Sequence, residues 1–152
     1  ALCYGWRQAN AKAMRYPASL PITVSVIVAL RNEAGTVFNL IYDLKQQDGV
    51  HAEFIMVDDQ STDNTLQVLE EATINDTRFK ILRSTGAGKK AALATGIAVA
   101  TGSIIATTDA DCRVQPQWLC TLTRPLHGAD VNFVFGLVSI RQTQSFFSHL
   151  QA

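Results

Sequence analysis

Two carboxylates, Asp109 and Asp111, follow an apolar run and are separated by one residue. The stretch from Ile104 to Arg113 reads I-I-A-T-T-D-A-D-C-R. Residues i and i+2 of an extended backbone project to the same side, so a buried strand ending here would present both acids to one point. Carboxylate oxygens are ligands that hard divalent cations prefer. The pair predicts a divalent-metal site, and a solvated acidic turn after a strand is the alternative.

Charged side chains also follow two other apolar runs. The run Ile22–Leu30 is nearly continuous and β-branched, and Arg31 and Glu33 come directly after it. The run Ala52–Val57 leads into Asp58-Asp59. Runs of this kind are typical of strands buried on both faces of a parallel sheet. Open α/β sheets bind ligands beyond the carboxyl ends of their strands, so we expect these side chains to face a ligand.

A glycine-rich loop, T-G-A-G-K-K over residues 85–90, separates a third apolar run from an alanine-rich stretch. Its G-A-G-K-K-A segment matches the loose dinucleotide-binding fingerprint, although that fingerprint belongs to the first strand–turn–helix unit and this is the third. A helix N-terminus that carries Lys89 or Lys90 is also suited to a phosphate group. Two solvated lysines on a surface helix are the alternative.

The elements that must position these residues alternate between strand and helix patterns. One residue among 61–63 is expected to cap the second helix. The alternation predicts an α/β fold with a doubly wound, mostly parallel sheet. Strands are predicted at 22–30, 52–57, 79–82, 103–108 and 131–140, and helices at 37–47, after 63, at 91–100 and at 115–122.

The length, charge and cysteine content of the chain limit which classes of protein it can belong to. The chain has 152 residues, enough for one domain with a substantial core. Lys plus Arg and Asp plus Glu both number 13, and this balance gives no sign of a nucleic-acid-binding protein. The cysteines are Cys3, Cys112 and Cys120. Their odd number and spacing predict free thiols in a reducing compartment.

The two ends of the sequence carry further expectations. No apolar run is long enough to span a bilayer, which takes about 18 to 20 residues. Residues 1–21 are expected to form a leader, and its aromatic residue followed by positive charge is typical of the cytoplasmic end of a membrane helix. An ordinary frayed leader is the alternative. Near the other end, Phe146, Phe147 and Leu150 have the spacing of an apolar helical stripe.

Four motifs in order resemble the N-terminal, nucleotide-sugar-binding part of a family-2 glycosyltransferase with the GT-A fold. V-S-V-I-V-A-L-R-N-E is similar to that family's first strand, and V-D-D-Q-S-T-D-N-T to its V-D-D-x-S-x-D-x-T signature. G-K-K-A-A-L-A-T-G-I is similar to G-K-x-x-A-L-N-x-G, with Ala94 where Asn is usual, and T-D-A-D-C contains its D-x-D motif. The resemblance covers residues 22 to 140 and implies a Rossmann-like GT-A sheet.

The resemblance implies a role for each matching residue. The base and ribose pocket would be lined by Ala29, Arg31 and Glu33, with a bond from Asp58 or Asp59. Lys89 would face the diphosphate. Asp109 and Asp111 would hold the nucleotide sugar through ribose, sugar and a bridging Mg²⁺ or Mn²⁺, which neutralises the leaving diphosphate.

The same resemblance implies the partners and the extent of the domain. The donor would be a nucleoside diphosphate sugar, with a UDP-sugar expected first, and the acceptor a glycan or a lipid. Residues 22–152 would be the donor-binding half of the domain, truncated on its C-terminal side, and no catalytic residue is assigned because the general base is expected after Ala152. The parent protein is expected at the cytoplasmic face of the cell membrane, held there by segments outside this chain, with the fragment itself soluble and inactive. An NAD-type dinucleotide-binding domain and a non-catalytic nucleotide-binding module are the alternatives.

Overall fold

The computed structural model describes residues 22–127 and 131–136. Strands and helices alternate through them, as the sequence pattern predicts. The elements are β1 Thr23–Leu30, α1 Val37–Lys45, β2 His51–Asp58, α2 Thr65–Thr73, β3 Phe79–Arg83, α3 Lys89–Val99, β4 Ile104–Thr107, α4 Trp118–Thr123 and a 3-10 turn at Arg124–His127.

The four strands form one parallel sheet in the order β3-β2-β1-β4. The chain runs from β1 outward to β3 and then crosses back to place β4 on the other side of β1. The strand order therefore reverses between β1 and β4, and open α/β sheets bind ligands at such a reversal, beyond the carboxyl ends of the strands.

Helices cover both faces of the sheet, which confirms the doubly wound prediction. Alternate residues of β1 point to opposite faces because side chains alternate along a strand. On one face Val26 and Val28 pack in a core with α1, α2 and α4, whose buried residues include Leu40, Leu69 and Leu119. On the other face Ile27 packs with Ile55, Val57 and Ala92 of α3.

Helix α3 lies unusually close to the sheet. A Cβ atom added to Gly96 would lie 2.5 Å from Ile27 Cγ2 and 3.2 Å from Val57 Cγ2. Only glycine permits this approach without a shift of the neighbouring side chains. The contact fixes the direction of α3, so that its first residue, Lys89, is carried at the ligand-binding edge of the sheet.

The structure departs from the predicted elements at two places. Strand β4 ends at Thr107, one residue earlier than predicted, and the chain turns directly afterwards. The predicted strand at 131–140 is wrong for its described part. Residues 131–136 pair with no strand among the described residues, and Phe133 and Phe135 are 81% and 77% exposed. A strand needs a hydrogen-bonded neighbour, and this apolar segment has none there.

Several predictions lie outside the described residues. These are the leader at 1–21, the C-terminal stripe and the remainder of the predicted fifth strand. Cys112 and Cys120 are free thiols, as predicted, and Cys3 is outside the described part. Within the described ranges, every helix is too short or too polar to cross a bilayer.

Candidate functional site

The loops that follow β1 and β2 are tied together at the carboxyl edge of the sheet. Asp59 N–H donates to Leu30 O at 2.7 Å, and Asn32 N–H donates to Ser61 Oγ at 2.9 Å. Asn32 Oδ1 accepts a hydrogen bond from Thr62 N–H at 2.8 Å. Asn32 has φ 57°, a left-handed conformation that Asn adopts more readily than most residues. We call this set of hydrogen bonds the loop clasp.

The start of α2 extends the clasp. Glu33 N–H donates to Thr65 Oγ1 at 2.7 Å, and Thr65 Oγ1–H donates to Asp63 Oδ1 at 2.5 Å. Asp63 also accepts from the N–H groups of Thr65 and Ala34. The hydroxyl of Thr65 is the main reason that the pKa of Asp63 lies below its usual value. Asp63 thus binds the first residue of α2 and holds the β1 loop as well. The N-cap of α2 is Asn64, which makes no side-chain cap hydrogen bond, so the prediction of a cap among residues 61–63 is wrong.

Asp58 and Asp59 are both buried, with 4% and 5% exposure. Asp58 Oδ1 accepts from Ser61 N–H at 3.3 Å within its own turn. Asp59 Oδ1 accepts from Gly88 N–H at 2.9 Å, just before α3 begins. Asp59 therefore connects the end of β2 to the glycine-rich loop, and part of this acidic pair has a positioning role.

Lys89 and Asp109 meet across the reversal of strand order. Lys89 Nζ lies 2.5 Å from Asp109 Oδ1, and the two side chains are 62% and 57% exposed. The structure thereby brings together a cation and a carboxylate that are 20 positions apart in sequence. Both groups remain open to solvent and to a charged ligand.

The acid pair is carried by a turn rather than by an extended strand. Cys112 N–H donates to Asp109 O at 3.2 Å, which closes the turn. Ala110 is only 4% exposed and anchors the turn in the core, whereas Asp109 and Asp111 on either side are exposed. The predicted extended geometry is therefore wrong, because the strand ends at Thr107, but the alternation of exposed and buried residues is kept.

The remaining predicted residues line the start of the β1 loop. Ala29 is partly buried and Arg31 is exposed. The carboxylate of Glu33, also partly buried, accepts a hydrogen bond from the hydroxyl of Thr36, just before α1 begins. Glu33 is thus engaged with its own loop, beside the clasp.

Asp109 and Asp111 are suited to a metal ion that takes only part of its ligands from the protein. Among residues 22–127 and 131–136, no group of three or more His, Cys, Asp or Glu side chains is placed to hold a metal by itself. Mg²⁺ is commonly bound through one or two carboxylates, with phosphates and water completing its shell. Asp109 and Asp111 offer such a partial set, so the donor set fits Mg²⁺ or Mn²⁺ bridged to a diphosphate.

Sequence reasoning missed the residues that hold these loops in place. Asn32 and Thr65 were not assigned a site role, and neither was Asp43 on α1, which binds the chain after the acid pair. Short polar side chains beside strand ends commonly bind nearby backbone N–H groups, and this was the signal available for Asn32 and Thr65. For Asp43 the signal was a charged residue between the apolar positions Leu40 and Leu44 of an amphipathic helix.

Comparisons with known proteins show the family of the chain. Residues 25–151 match the family described as glycosyl transferase family 2. Glycosyltransferase GlyG of Streptococcus pneumoniae serotype 4 is 30% identical over 114 residues, which are 74% of this chain and 38% of that protein. Beta-monoglucosyldiacylglycerol synthase of Nostoc sp. is 36% identical over 108 residues, which are 66% of this chain and 22% of that protein.

Solved structures of similar proteins carry nucleotide sugars. Mannosyltransferase PcManGT from Pyrobaculum calidifontis, in complex with GDP-Man and Mn²⁺, is 28% identical with a TM-score of 0.69, and the match covers 74% of this chain and 34% of that one. TarS 1-349 of S. aureus, in complex with UDP-GlcNAc, is 28% identical with a TM-score of 0.59, covering 70% and 32%.

The chain spans 22% and 38% of the two curated relatives. The family match covers the four motifs apart from Val24, the first residue of the first one, and the parallel sheet has the GT-A, Rossmann-like arrangement of the solved glycosyltransferases. This chain belongs to glycosyl transferase family 2, as part of a GT-A domain.

Proposed function

We propose that this chain is the donor-binding half of an inverting, metal-dependent glycosyltransferase. The parent enzyme would transfer a hexosyl group from a nucleoside diphosphate sugar to a hydroxyl of a glycan or lipid acceptor. The observation that carries the proposal is the contact between Lys89 and Asp109 at the reversal of strand order. It joins a diphosphate-binding cation to a metal-binding carboxylate at the edge where open α/β sheets bind ligands.

The β1 and β2 loops would bind the nucleoside. Carboxylates accept hydrogen bonds from base N–H groups and ribose hydroxyls, and Asp58 or Asp59 is the candidate for such a bond. Both are buried at the end of β2, next to the end of β1, which carries Ala29, and to the following loop, which carries Arg31 and Glu33. The loop clasp supports this assignment, because hydrogen bonds made within the chain hold the two loops next to each other. A UDP-sugar is the first expectation, although the two similar structures hold UDP-GlcNAc and GDP-Man respectively.

Lys89 and the acid pair would bind the diphosphate end. Lys89 is the first residue of α3, where the helix dipole and free N–H groups favour an anion. Asp109 and Asp111 would hold Mg²⁺ or Mn²⁺. The bound metal ion would neutralise charge on the leaving diphosphate. The exposed Lys89 side chain can turn from Asp109 to a phosphate without any movement of the backbone.

Transfer itself requires an acceptor site that we place outside the donor-binding half. In an inverting reaction a base takes the proton of the acceptor hydroxyl as its oxygen attacks the anomeric carbon. The bond from that carbon to the diphosphate oxygen breaks, and its electron pair leaves with the diphosphate. The residues of this chain bind and orient the donor. We propose that the base belongs to the part of the relatives that this chain does not cover, and that the parent protein works at the cytoplasmic face of the cell membrane.

Calorimetry with UDP, GDP and NAD, each with and without Mn²⁺, tests the proposal. The expected result is binding of a nucleoside diphosphate that depends on Mn²⁺ and is lost in Asp111→Asn, with no binding of NAD. Asp48→Asn is the matched control, because Asp48 is an exposed acid in the turn before β2, at the opposite edge of the sheet. Equal, metal-independent binding by wild type and Asp111→Asn would contradict the metal site, and tight binding of NAD would favour the dinucleotide alternative.

A further inference from the structure

Asp43 is a nearly buried carboxylate on α1 that binds the chain just after the acid pair. Its side chain is 8% exposed. Arg113 donates to it from Nε at 2.6 Å and from Nη2 at 2.8 Å. Val114 N–H donates to Asp43 Oδ2 at 3.0 Å. Three donors from one short segment therefore converge on a single carboxylate that lies 70 positions earlier in the sequence.

Stability alone does not account for this arrangement. Burying a carboxylate is unfavourable unless it is paired and hydrogen-bonded, and apolar residues of similar size often serve a core equally well. A two-point contact between Arg and a carboxylate adds fixed geometry, because the planar guanidinium matches the two oxygens in one orientation. The question is which part of the molecule this geometry fixes.

The fixed part is the turn that carries Asp109 and Asp111. Strand β4 holds the chain in the sheet up to Thr107, which pairs with Ile27. Ala110 holds the middle of the turn in the core, and Arg113 holds the far end against α1. Only residues 108–112 lie between the sheet and this anchor. The turn is thus restrained at both ends and in its middle.

Gln47, two residues after the end of α1, also holds the segment that follows the acid pair. Gln47 Nε2 donates to Gln115 O at 2.7 Å, and Gln47 Oε1 accepts from Leu119 N–H at 3.0 Å. Asp48 N–H donates to Pro116 O at 3.1 Å. The whole segment from Arg113 to the start of α4 is therefore attached to α1 and the residues after it.

We infer that Asp43 is a positioning residue for the metal–diphosphate site and acts through Arg113. This inference rests on the proposed function. Asp43 touches neither the metal nor the donor; it sets the place of the turn from which Asp109 and Asp111 reach them. Groups that hydrogen-bond directly to metal ligands typically change metal affinity by about 10- to 100-fold when they are substituted. Asp43 acts one contact further away, through Arg113, so the lower end of that range is the expectation.

The test uses two variants and one matched control in the whole chain. Asp43→Asn keeps the shape of the side chain and removes its charge. Arg113→Lys keeps the charge and removes the two-point contact, and since Arg113 is 52% exposed this variant is the safer one for folding. Glu53→Gln is the control: Glu53 is also a largely buried, hydrogen-bonded carboxylate, paired with Lys80, but it lies towards the amino ends of the strands.

Three quantities are measured for each protein. They are the affinity for UDP at saturating Mn²⁺ by calorimetry, the electron paramagnetic resonance spectrum of the bound Mn²⁺, and Tm by thermal unfolding. Both Asp43→Asn and Arg113→Lys are expected to weaken Mn²⁺-dependent UDP binding by about 10-fold or more and to change the Mn²⁺ spectrum. Glu53→Gln is expected to lower Tm and to leave both binding readouts at their wild-type values.

Two results would overturn the inference. A lower Tm in Arg113→Lys with unchanged UDP affinity and an unchanged spectrum would show that the ion pair is structural only. Equal weakening of UDP binding in Glu53→Gln would show that any loss of stability has this effect. Failure of the wild-type chain to bind UDP with Mn²⁺ is a separate outcome, because it removes the proposed function and this inference with it.

Discussion

Substitution of Lys89 by Gln is expected to change two affinities in opposite directions. Lys89 Nζ lies 2.5 Å from Asp109 Oδ1, so on the proposed function it would compete with a metal ion for that carboxylate. Both side chains are more than half exposed, and exposed ion pairs contribute only about 0.2 to 1 kcal/mol. Removing the competing cation should therefore strengthen the binding of Mn²⁺ alone, by up to about fivefold.

On the proposed function, the same substitution also removes a contact to the diphosphate. A hydrogen bond to a charged group contributes about 1.5 to 3 kcal/mol, so UDP should bind about 10- to 150-fold more weakly at saturating Mn²⁺. This loss exceeds the gain in metal affinity, and the affinity for the Mn²⁺–UDP pair should fall overall. Electron paramagnetic resonance of free Mn²⁺ gives the first affinity, and calorimetry of UDP at saturating Mn²⁺ gives the second.

Lys90→Gln is the control for the Lys89 experiment. Lys90 is an exposed lysine on the same helix, so its substitution removes the same charge one residue further along. It should leave both affinities within about twofold of wild type, because exposed charges interact weakly in salt. Weaker binding of Mn²⁺ alone in Lys89→Gln would refute the competition argument, and equal effects of the two substitutions would refute a specific contact between Lys89 and the diphosphate.

The other predictions concern stability and activity. Partial burial raises the pKa of Glu53, but hydrogen bonds from Lys80, Ser25 and Thr101 outweigh this and hold the pKa at about 2, compared with a usual 4.5. Because the folded-state pKa is lowered, the ionised side chain contributes up to about 3 kcal/mol that is present above pH 4.5 and is lost as the pH falls towards 2. Urea unfolding should therefore show Glu53→Gln clearly less stable than wild type at pH 7 and closer to it at pH 3; a constant difference would contradict this. Asn32→Ala should be about 1 kcal/mol less stable than Asn32→Gly in urea unfolding, because both lose the bond to Thr62 and only Ala opposes the left-handed backbone; equal stabilities would show that the backbone conformation contributes little. Incubated with labelled donors and acceptors, the chain should bind the donor but transfer it at least about 10²-fold more slowly than a relative that also contains the proposed acceptor half, because on the proposed function the general base belongs to that half; efficient transfer would mean that the base lies within this chain, with His127 the first candidate.

The fold was predictable because burial on both faces leaves a strong sequence pattern. The β-branched runs locate β1 and β2 to within a residue or two, since a central parallel strand excludes polar side chains. The amphipathic spacing of α1 was similarly clear. The segment at 131–136 misled the same reasoning, because an apolar, β-branched composition is necessary for a strand but pairing with a neighbour is what forms one.

The positions of the residues proposed to face the ligand were easier to predict than the contacts that hold them. Asp109 comes just after an apolar run, and Lys89 comes after the glycine-rich loop that follows another, so their place at the sheet edge follows from the order of strands. The partner of Asp43 lies 70 positions away, and no spacing rule links Asp43 to Arg113. Such contacts depend on how α1 and the chain after β4 pack in three dimensions, which local pattern does not contain.

The division between buried and exposed groups has a consequence for donor binding. Asp58, Asp59, Thr65 and Asp43 are buried and hydrogen-bonded, whereas Lys89 is exposed. Loops that are already held in place lose little conformational freedom when a ligand binds, so less of the interaction energy is spent on ordering them. Charge develops on the diphosphate as the sugar leaves, and groups fixed beforehand stabilise such charge better than groups that must reorganise. On the proposed function, the hydrogen bonds of Asp43 and Asp59 therefore matter to the reaction through the fixed position they give to the acid turn and to the start of α3, without contact to the sugar.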